Sequence, residues 1–258
     1  MFISSQDLEK IYQDDSVLIL DARSYKDYSK GHIPGSVSLD LFSFHWADTS
    51  QKGLVSFGEH MRKILSYAGI DENKKIIFYD DVSGMLAARG VWMCLYFSHP
   101  DVQMLDGGLS KWTKENLPTQ TESTIYKPSN LTTPINPSII IGFEELNENI
   151  GKVTILDARS PDEFDGTIPR AARGGHIPTA KNIDWNNNLD DSGKLKSDSE
   201  LESLYTMDKE YPIVTYCQGA YRAANSYLSL KKIGFKNVKV YLGSWGEWGN
   251  NLKLPIEK

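Results

Sequence analysis

Cysteine is scarce in this sequence, which has two in 258 residues. Two cysteines cannot build a disulfide framework, and this favours a reducing cytoplasmic environment. No run of about 18 apolar residues is present, which argues against a membrane-spanning helix, and the first residues lack the basic and apolar segments of a secretory signal. Positive charge is not in excess either, because the formal net charge is −6. We therefore expect a cytoplasmic protein whose partners are neither nucleic acids nor membranes.

The composition is that of an ordinary soluble globular protein, with 40% apolar and 24% charged residues. The length exceeds that of a typical single domain, so two domains are expected. An internal repeat supports this expectation, because four landmarks recur in the same order. Residues 17–24 return as 153–160, residues 31–34 as 175–178, residues 76–80 as 213–217, and residues 105–112 as 242–248.

Each half of the repeat alternates short strand-like runs with amphipathic segments such as residues 84–97 and 223–233. Strands that alternate with helices predict right-handed βαβ units and a mainly parallel sheet covered on both faces. Between the halves, the chain becomes polar and rich in proline, which indicates an extended linker. The fold class is therefore α/β, with a first domain at 1–116, a linker at 117–138 and a second domain at 139–258.

The most informative stretch runs from residue 213 to residue 224. A β-branched run ends in Cys217, passes through a small loop with Gly219 and Ala220, and enters a helix-forming segment. A thiol at a helix N-terminus beside an arginine is stabilised as the thiolate, and Arg222 supplies that charge. Backbone N–H groups of such a loop can surround a sulfur atom or a bound anion. The stretch predicts a nucleophilic cysteine.

Differences between the halves separate fold from function. The Asp-x-Arg pairs at residues 21–23 and 157–159 occur twice, as do His32 and His176. We interpret them as structural ion pairs and loop-fixing histidines. Where the second half has Cys217, the first half has Asp80, which cannot act as a sulfur nucleophile. The first domain is therefore expected to be inactive.

An insertion at residues 166–174 is unique to the second half and adds two arginines. It is either a solvated basic loop or the mouth of the site, where Arg173, and less firmly Arg170, would attract an anionic substrate. Trp245 has no aromatic counterpart in the first half and is interpreted as a wall of the active site or of the domain interface. Cys94 lies in an apolar helical segment and is predicted to be a core residue.

Together these residues resemble the two-domain rhodanese family of sulfurtransferases. The resemblance rests on the tandem repeat, the Asp-Ala-Arg and Gly-His-Ile-Pro landmarks, the six-residue loop headed by Cys217, and the Gly-Ser-Trp-Gly-Glu-Trp motif at 243–248. It implies that Cys217 carries a persulfide and that the loop of Gln218, Gly219, Ala220, Tyr221 and Arg222 lines the pocket around it. No metal or organic cofactor is implied.

The loop sequence is closer to the bacterial thiosulfate type than to the mercaptopyruvate type. Glu163 stands where the mercaptopyruvate type has a substrate-binding arginine. The resemblance thus implies that Cys217 takes sulfur from thiosulfate, a small anionic donor, and passes it to a thiophilic acceptor such as cyanide or a thiol.

Three alternatives remain open at this point. The first is 3-mercaptopyruvate as the donor, and the second is a persulfide carrier that has no free turnover. The third is a cysteine phosphatase or arsenate reductase, but those enzymes have five residues between cysteine and arginine, whereas Cys217 and Arg222 enclose four.

Overall fold

The computed structural model describes all 258 residues and contains two five-stranded sheets, one from each half of the sequence. The first half forms strands β1 (Phe2–Ile3), β2 (Val17–Asp21), β3 (Val37–Ser38), β4 (Lys75–Tyr79) and β5 (Val102–Leu105), with helices α1 (Ser5–Glu9), α2 (Tyr25–Tyr28), α3 (Gln51–Tyr67), α4 (Met85–Tyr96) and α5 (Gly108–Lys114). A short 3-10 helix lies at Leu41–Ser43.

The second half repeats this order. It forms strands β6 (Ile140–Ile141), β7 (Thr154–Asp157), β8 (Lys181–Asn182), β9 (Ile213–Tyr216) and β10 (Val238–Tyr241), with helices α6 (Phe143–Glu148), α7 (Pro161–Phe164), α8 (Asp198–Leu204), α9 (Tyr221–Lys232) and α10 (Ser244–Trp248). Two 3-10 helices lie at Pro137–Ile139 and Trp185–Asn188.

Both sheets have the same strand order, β1-β5-β4-β2-β3 in the first and β6-β10-β9-β7-β8 in the second, and every pair is parallel. The central strands are buried along their length, as expected where helices cover a parallel sheet on both faces. Asp21 is in register with Tyr79, and Asp157 with Tyr216. The predicted α/β fold with two tandem units is confirmed.

By their internal contacts, residues group into two compact units. Unit 1 comprises Met1–Phe44, Gly58–Asn136 and Leu189–Leu195, and unit 2 comprises His45–Phe57, Pro137–Asn188 and Lys196–Lys258. Each unit thus includes a short segment from the other half of the sequence. The repeat by itself gave no sign of these segments, so the boundaries 1–116, 117–138 and 139–258 stay a prediction.

The twice-occurring Asp-x-Arg pairs are buried structural ion pairs. Arg23 donates from Nε and Nη2 to Asp21 at 2.9 and 2.6 Å. Arg159 binds Asp157 in the same way, and both side chains of that pair are fully buried. Each arginine also donates to a backbone carbonyl of the loop that precedes the Gly-His-Ile-Pro histidine. The pairs tie that loop to the end of a strand, which confirms the structural interpretation.

The two repeated histidines fix loops as predicted. His32 stacks on the ring of Tyr28 at 3.7 Å, and its Nδ1 lies 2.9 Å from the Tyr28 carbonyl oxygen. His176 stacks on Phe164 at 3.7 Å, with Nδ1 at 3.0 Å from the Phe164 carbonyl oxygen. Each ring is therefore held by the turn of helix that precedes it, α2 or α7.

The polar segment at 117–138 is extended and belongs to unit 1 up to residue 136. Gln120 and His32 exchange two backbone hydrogen bonds of 2.9 Å, and Ser129 donates from its backbone N–H to a carbonyl at the end of α3. Leu131 is buried. The segment thus lies along the surface of unit 1 and is held there by separate hydrogen bonds and by the buried side chain of Leu131.

Candidate active site around Cys217

Cys217 follows β9 directly and lies at the bottom of the loop that leads into α9, with 1% of its surface exposed. The β-branched residues of β9 favour the strand. The loop ends at Ala220, which has a left-handed backbone conformation, φ 66°, at the N-cap of α9. This conformation is unfavourable for alanine by roughly 1–2 kcal/mol, so the surrounding structure must impose it.

Part of that structure is the turn that begins α10. Backbone N–H groups of Cys217 and Ala220 both donate to the Ser244 hydroxyl, at 3.2 and 3.1 Å. The hydroxyl in turn donates to the Tyr241 carbonyl at 2.9 Å. Trp245 donates from its backbone N–H to the Cys217 carbonyl at 2.8 Å. The Gly-Ser-Trp-Gly motif therefore fixes the loop from behind.

Arg222, on the first turn of α9, is held by Glu163 from α7. Its guanidinium donates from Nη1 to Oε2 at 2.5 Å and from Nη2 to Oε1 at 2.9 Å. Both side chains are mostly buried. Burial alone would lower the pKa of Arg222, but its hydrogen bonds and charge interactions with Glu163 and its interaction with the Cys217 sulfur raise that pKa. The guanidinium is therefore a fixed positive charge beside the thiol.

The environment of Glu163 is equally specific. Burial would raise its pKa, but the hydrogen bonds and charge of Arg222 outweigh burial and lower it. Its backbone N–H and side chain form a capping box with Ser160 at the start of α7. The Arg170 guanidinium lies 3.6 Å from Glu163. One carboxylate thus serves two arginines, and the group of three carries a net charge of about +1.

The loop residues predicted to bind substrate follow Cys217 directly in the chain, and their contact with a substrate stays a prediction. The Gln218 side chain donates from Nε2 to the Arg170 carbonyl at 2.9 Å, which links the insertion to the loop. Arg170 itself is half exposed. Tyr221 is buried, and Gly219 lies between Gln218 and Tyr221 in the loop. The structure therefore brings Arg170 close to the loop that follows Cys217 and to Glu163, the partner of Arg222.

Arg173 is bound to the C-terminal segment of the chain. Its guanidinium donates to the carbonyl oxygens of Leu254, Trp248 and Asn251 at 2.8, 2.9 and 2.6 Å, and to that of Gly249 at 3.3 Å. These contacts use four of the five N–H donors of the guanidinium on the C-terminal segment. They favour a structural role, and the attraction of substrate by Arg173 stays a prediction.

Trp245 is a core residue, and its assignment as a wall of the site stays a prediction. Its side chain is fully buried in the core of unit 2, its Nε1 donates to the Arg173 carbonyl at 3.2 Å, and the Arg159 guanidinium lies 4.7 Å from its ring centroid. Its backbone, as described above, is what contacts the cysteine loop. Cys94 is buried as predicted, and burial raises the pKa of its thiol, which suits an inert core residue.

His45 also lies at the loop, and the sequence gave no signal for it. Residues 45–57 belong to unit 2, and the His45 ring lies 5.0 Å from the Tyr221 ring, centroid to centroid. It is far from Cys217 along the chain, so no local pattern could have placed it there.

The corresponding loop of unit 1 is filled by its own carboxylate. Asp80 Oδ1 accepts N–H donors from Val82 and Gly84 at 3.2 and 3.1 Å, and Oδ2 accepts those of Leu86 and Ala87 at 3.0 and 3.1 Å. Burial raises the pKa of Asp80 to about 6, although these four donors act to lower it. The loop has no thiol, and four of its N–H groups are taken by the Asp80 carboxylate, which agrees with an inactive first unit.

Two further features concern the whole chain. No group of three or more His, Cys, Asp or Glu side chains is arranged to hold a metal ion. None of the helices has both the length and the apolar character of a membrane span.

Comparison with known proteins agrees with this geometry. The model of the Rhodanese-like domain matches residues 4–115 and again 143–251. A sulfur carrier protein, TtuD, from Thermus thermophilus is 33% identical, with all of this chain and 96% of the relative covered. A thiosulfate sulfurtransferase from Azotobacter vinelandii is 32% identical, with 100% and 97% covered.

Among solved structures, SseA from Escherichia coli, described as a 3-mercaptopyruvate sulfotransferase, superimposes with a TM-score of 0.80 at 26% identity and covers 95% of this chain and 98% of its own.

Proposed function

The chain belongs to the rhodanese family of sulfurtransferases, and we propose that it takes sulfane sulfur from thiosulfate onto Cys217 and passes it to a thiophilic acceptor. The observation that carries the proposal is the placement of Cys217 at the base of a loop beside Arg222, whose guanidinium is fixed by Glu163. Unit 1 has the same fold but carries Asp80 at this position, so the fold alone does not account for the arrangement.

The first half-reaction forms the persulfide. The Cys217 thiolate attacks the outer sulfur of thiosulfate, the S–S bond of thiosulfate breaks, and sulfite leaves with the bonding electron pair. Arg222 stabilises the thiolate before attack and the negative charge on the departing sulfite after it. The first N–H groups of α9 have no intrahelical acceptor and add to this stabilisation. Arg170, half exposed beside Glu163, attracts the doubly charged donor.

The second half-reaction empties the site. The acceptor attacks the outer sulfur of the persulfide, the S–S bond to Cys217 breaks, and its electron pair returns to the cysteine sulfur. The loop then holds a thiolate again, so covalent catalysis with ping-pong kinetics is expected. No metal or cofactor takes part in either step.

Thiosulfate is preferred to 3-mercaptopyruvate because of Glu163. Its carboxylate points at Arg222 and lies within 3.6 Å of Arg170. The mercaptopyruvate type has an arginine here to bind the carboxylate of its donor, and a carboxylate cannot replace that arginine. Thiosulfate has no carboxylate that needs such a partner. The likeness to the Azotobacter vinelandii thiosulfate sulfurtransferase supports the same choice.

A sulfur carrier without free turnover is a second candidate, favoured by the likeness to the Thermus thermophilus sulfur carrier protein over the whole chain. Carrier and enzyme need the same persulfide, so they differ only in what discharges it. Negligible thiosulfate:cyanide turnover, together with stoichiometric transfer of sulfur to a protein thiol, would favour the carrier.

Intact mass measurement tests the proposal directly. Wild type and Cys217→Ser are weighed before and after thiosulfate, and again after cyanide. We expect the wild type alone to gain the mass of one sulfur atom and to lose it to cyanide. Cys94→Ser is the matched control, since this second cysteine is buried in unit 1 and should leave the adduct unchanged. No adduct on the wild type would refute thiosulfate as donor and make 3-mercaptopyruvate the next to test.

A further inference from the structure

His45 rests on the loop that carries Cys217. A Cβ built on Gly219 would lie 3.2 Å from Cε1 and 3.3 Å from Nδ1 of His45, so the imidazole lies directly over this glycine. The same ring contacts the ring of Tyr221 at 5.0 Å between centroids. Side-chain exposure of His45 is nevertheless high. An exposed imidazole therefore packs against the loop at Gly219, which lies two residues after Cys217 in the chain.

This contact leaves little room for a side chain at residue 219. Gly219 is not among the residues with positive φ, so its backbone conformation is open to any amino acid. The three atoms nearest to a Cβ at this position all belong to His45, and a Cβ at 3.2 Å would press on the ring. The space next to Gly219 is therefore taken by an imidazole.

Other ionisable groups around the loop are poorly suited to accept a proton. Arg222 and Arg170 are guanidinium groups that stay protonated. The carboxylate of Glu163 is bound to Arg222, which lowers its pKa. On α10, burial raises the pKa of Glu247, but its oxygens are occupied by hydrogen bonds from the backbone and hydroxyl of Thr49 and from Tyr241. A histidine, in contrast, exchanges a proton near neutral pH.

We propose that His45 contacts the sulfur acceptor and takes the proton of an acceptor thiol as sulfur leaves Cys217. This inference rests on the proposed persulfide. The thiol passes its proton to an imidazole nitrogen, and its sulfur attacks the outer sulfur of the persulfide. The S–S bond to Cys217 breaks with its electron pair on the cysteine, and the acceptor leaves as a persulfide. Persulfide formation from thiosulfate moves no proton, so His45 acts in the second half-reaction only.

The test separates the two half-reactions in single turnovers. Enzyme is loaded with thiosulfate, freed of donor, and discharged with either glutathione, which carries a thiol proton, or sulfite, which carries the sulfur back to thiosulfate without one. For His45→Gln we expect discharge by glutathione to slow about 100-fold, at the low end of general-base contributions, with loading and discharge by sulfite changed less than about twofold. His60→Gln, an exposed histidine grouped with unit 1, should match the wild type.

Gly219→Ala provides a second route to the same result, because its methyl group displaces the ring without removing it. We expect the ratio of the glutathione rate to the sulfite rate to fall as it does in His45→Gln, with no additional fall of that ratio in the double variant. Equal slowing with glutathione and sulfite, or no slowing with either, would overturn the role of His45. Failure of the wild type to load sulfur from thiosulfate would instead overturn the proposed function.

Discussion

Arg222 and Glu163 form a bidentate ion pair, with Nη1 to Oε2 at 2.5 Å and Nη2 to Oε1 at 2.9 Å, across 59 residues of sequence. The pair aligns a planar guanidinium beside Cys217, and both charges are mostly shielded from water. A carboxylate so close to a site for anions weakens the attraction for the donor. The contribution of Glu163 is therefore to orient the Arg222 guanidinium. That balance can be measured.

Glu163→Gln should separate orientation from attraction. Glutamine keeps the shape but offers only one hydrogen-bond acceptor, so the guanidinium loses its second anchor. We expect kcat for thiosulfate to fall about tenfold. The KM for thiosulfate should stay constant or fall, because a negative charge has been removed. Steady-state kinetics with cyanide as acceptor measure both constants, and Glu257→Gln, an exposed carboxylate near His176, is the control. A higher KM with unchanged kcat would contradict the orienting role.

Asp80 should make stability depend on pH. Its folded-state pKa is about 6 against 3.8 for the unfolded chain, mainly because of burial, so the folded protein binds the proton more tightly. The resulting stabilisation is complete below pH 3.8 and is lost as the pH rises through about 6. Asparagine cannot ionise, so Asp80→Asn should gain about 2 kcal/mol in free energy of unfolding relative to the wild type between pH 4.5 and 7.

Urea titrations of both proteins at pH 4.5 and pH 7 measure this difference. Comparing the two pH values removes the fixed cost of replacing an oxygen by an amide group in the loop. Asp81→Asn, a change at the adjacent exposed carboxylate, controls for the general effect of removing one charge. A stability difference that is the same at both pH values would show that the amide donors hold the Asp80 carboxylate ionised throughout.

Arg173 and Arg170 come from one insertion, but replacing Arg173 should lower stability, whereas replacing Arg170 should raise the KM for thiosulfate. Arg173→Gln removes hydrogen bonds to four carbonyl groups of the C-terminal segment and should lower the free energy of unfolding by about 1–3 kcal/mol, with the KM for thiosulfate unchanged. Arg170→Gln should leave stability within about 0.5 kcal/mol because the side chain is half exposed.

The same variant, Arg170→Gln, should raise the KM for thiosulfate by roughly threefold, since one of the two positive charges at the loop is lost. Thermal unfolding and steady-state kinetics on both variants decide the matter. The opposite pattern, with the KM raised by Arg173→Gln, would support the assignment of Arg173 to substrate binding.

Patterns among neighbouring residues were sufficient to predict the fold and the nucleophile. A repeated set of landmarks predicts two α/β units, and the strand, loop and helix signals around Cys217 lie within twelve consecutive residues. Propensity and periodicity act between near neighbours, so such features can be recognised without a structure. The contrast between Cys217 and Asp80 was equally visible, because it compares equivalent positions.

Only the tertiary structure decided which distant side chains lie near the Cys217 loop. Arg170 and Arg173 are three residues apart and chemically identical, yet one lies beside Glu163 and the other binds carbonyls of the C-terminal segment. His45 reaches the loop because residues 45–57 pack in the second unit. Hydrogen bonds and ion pairs act over about 3 Å and require a partner at that distance. The sequence determines which groups are present, but the packed chain determines which of them meet.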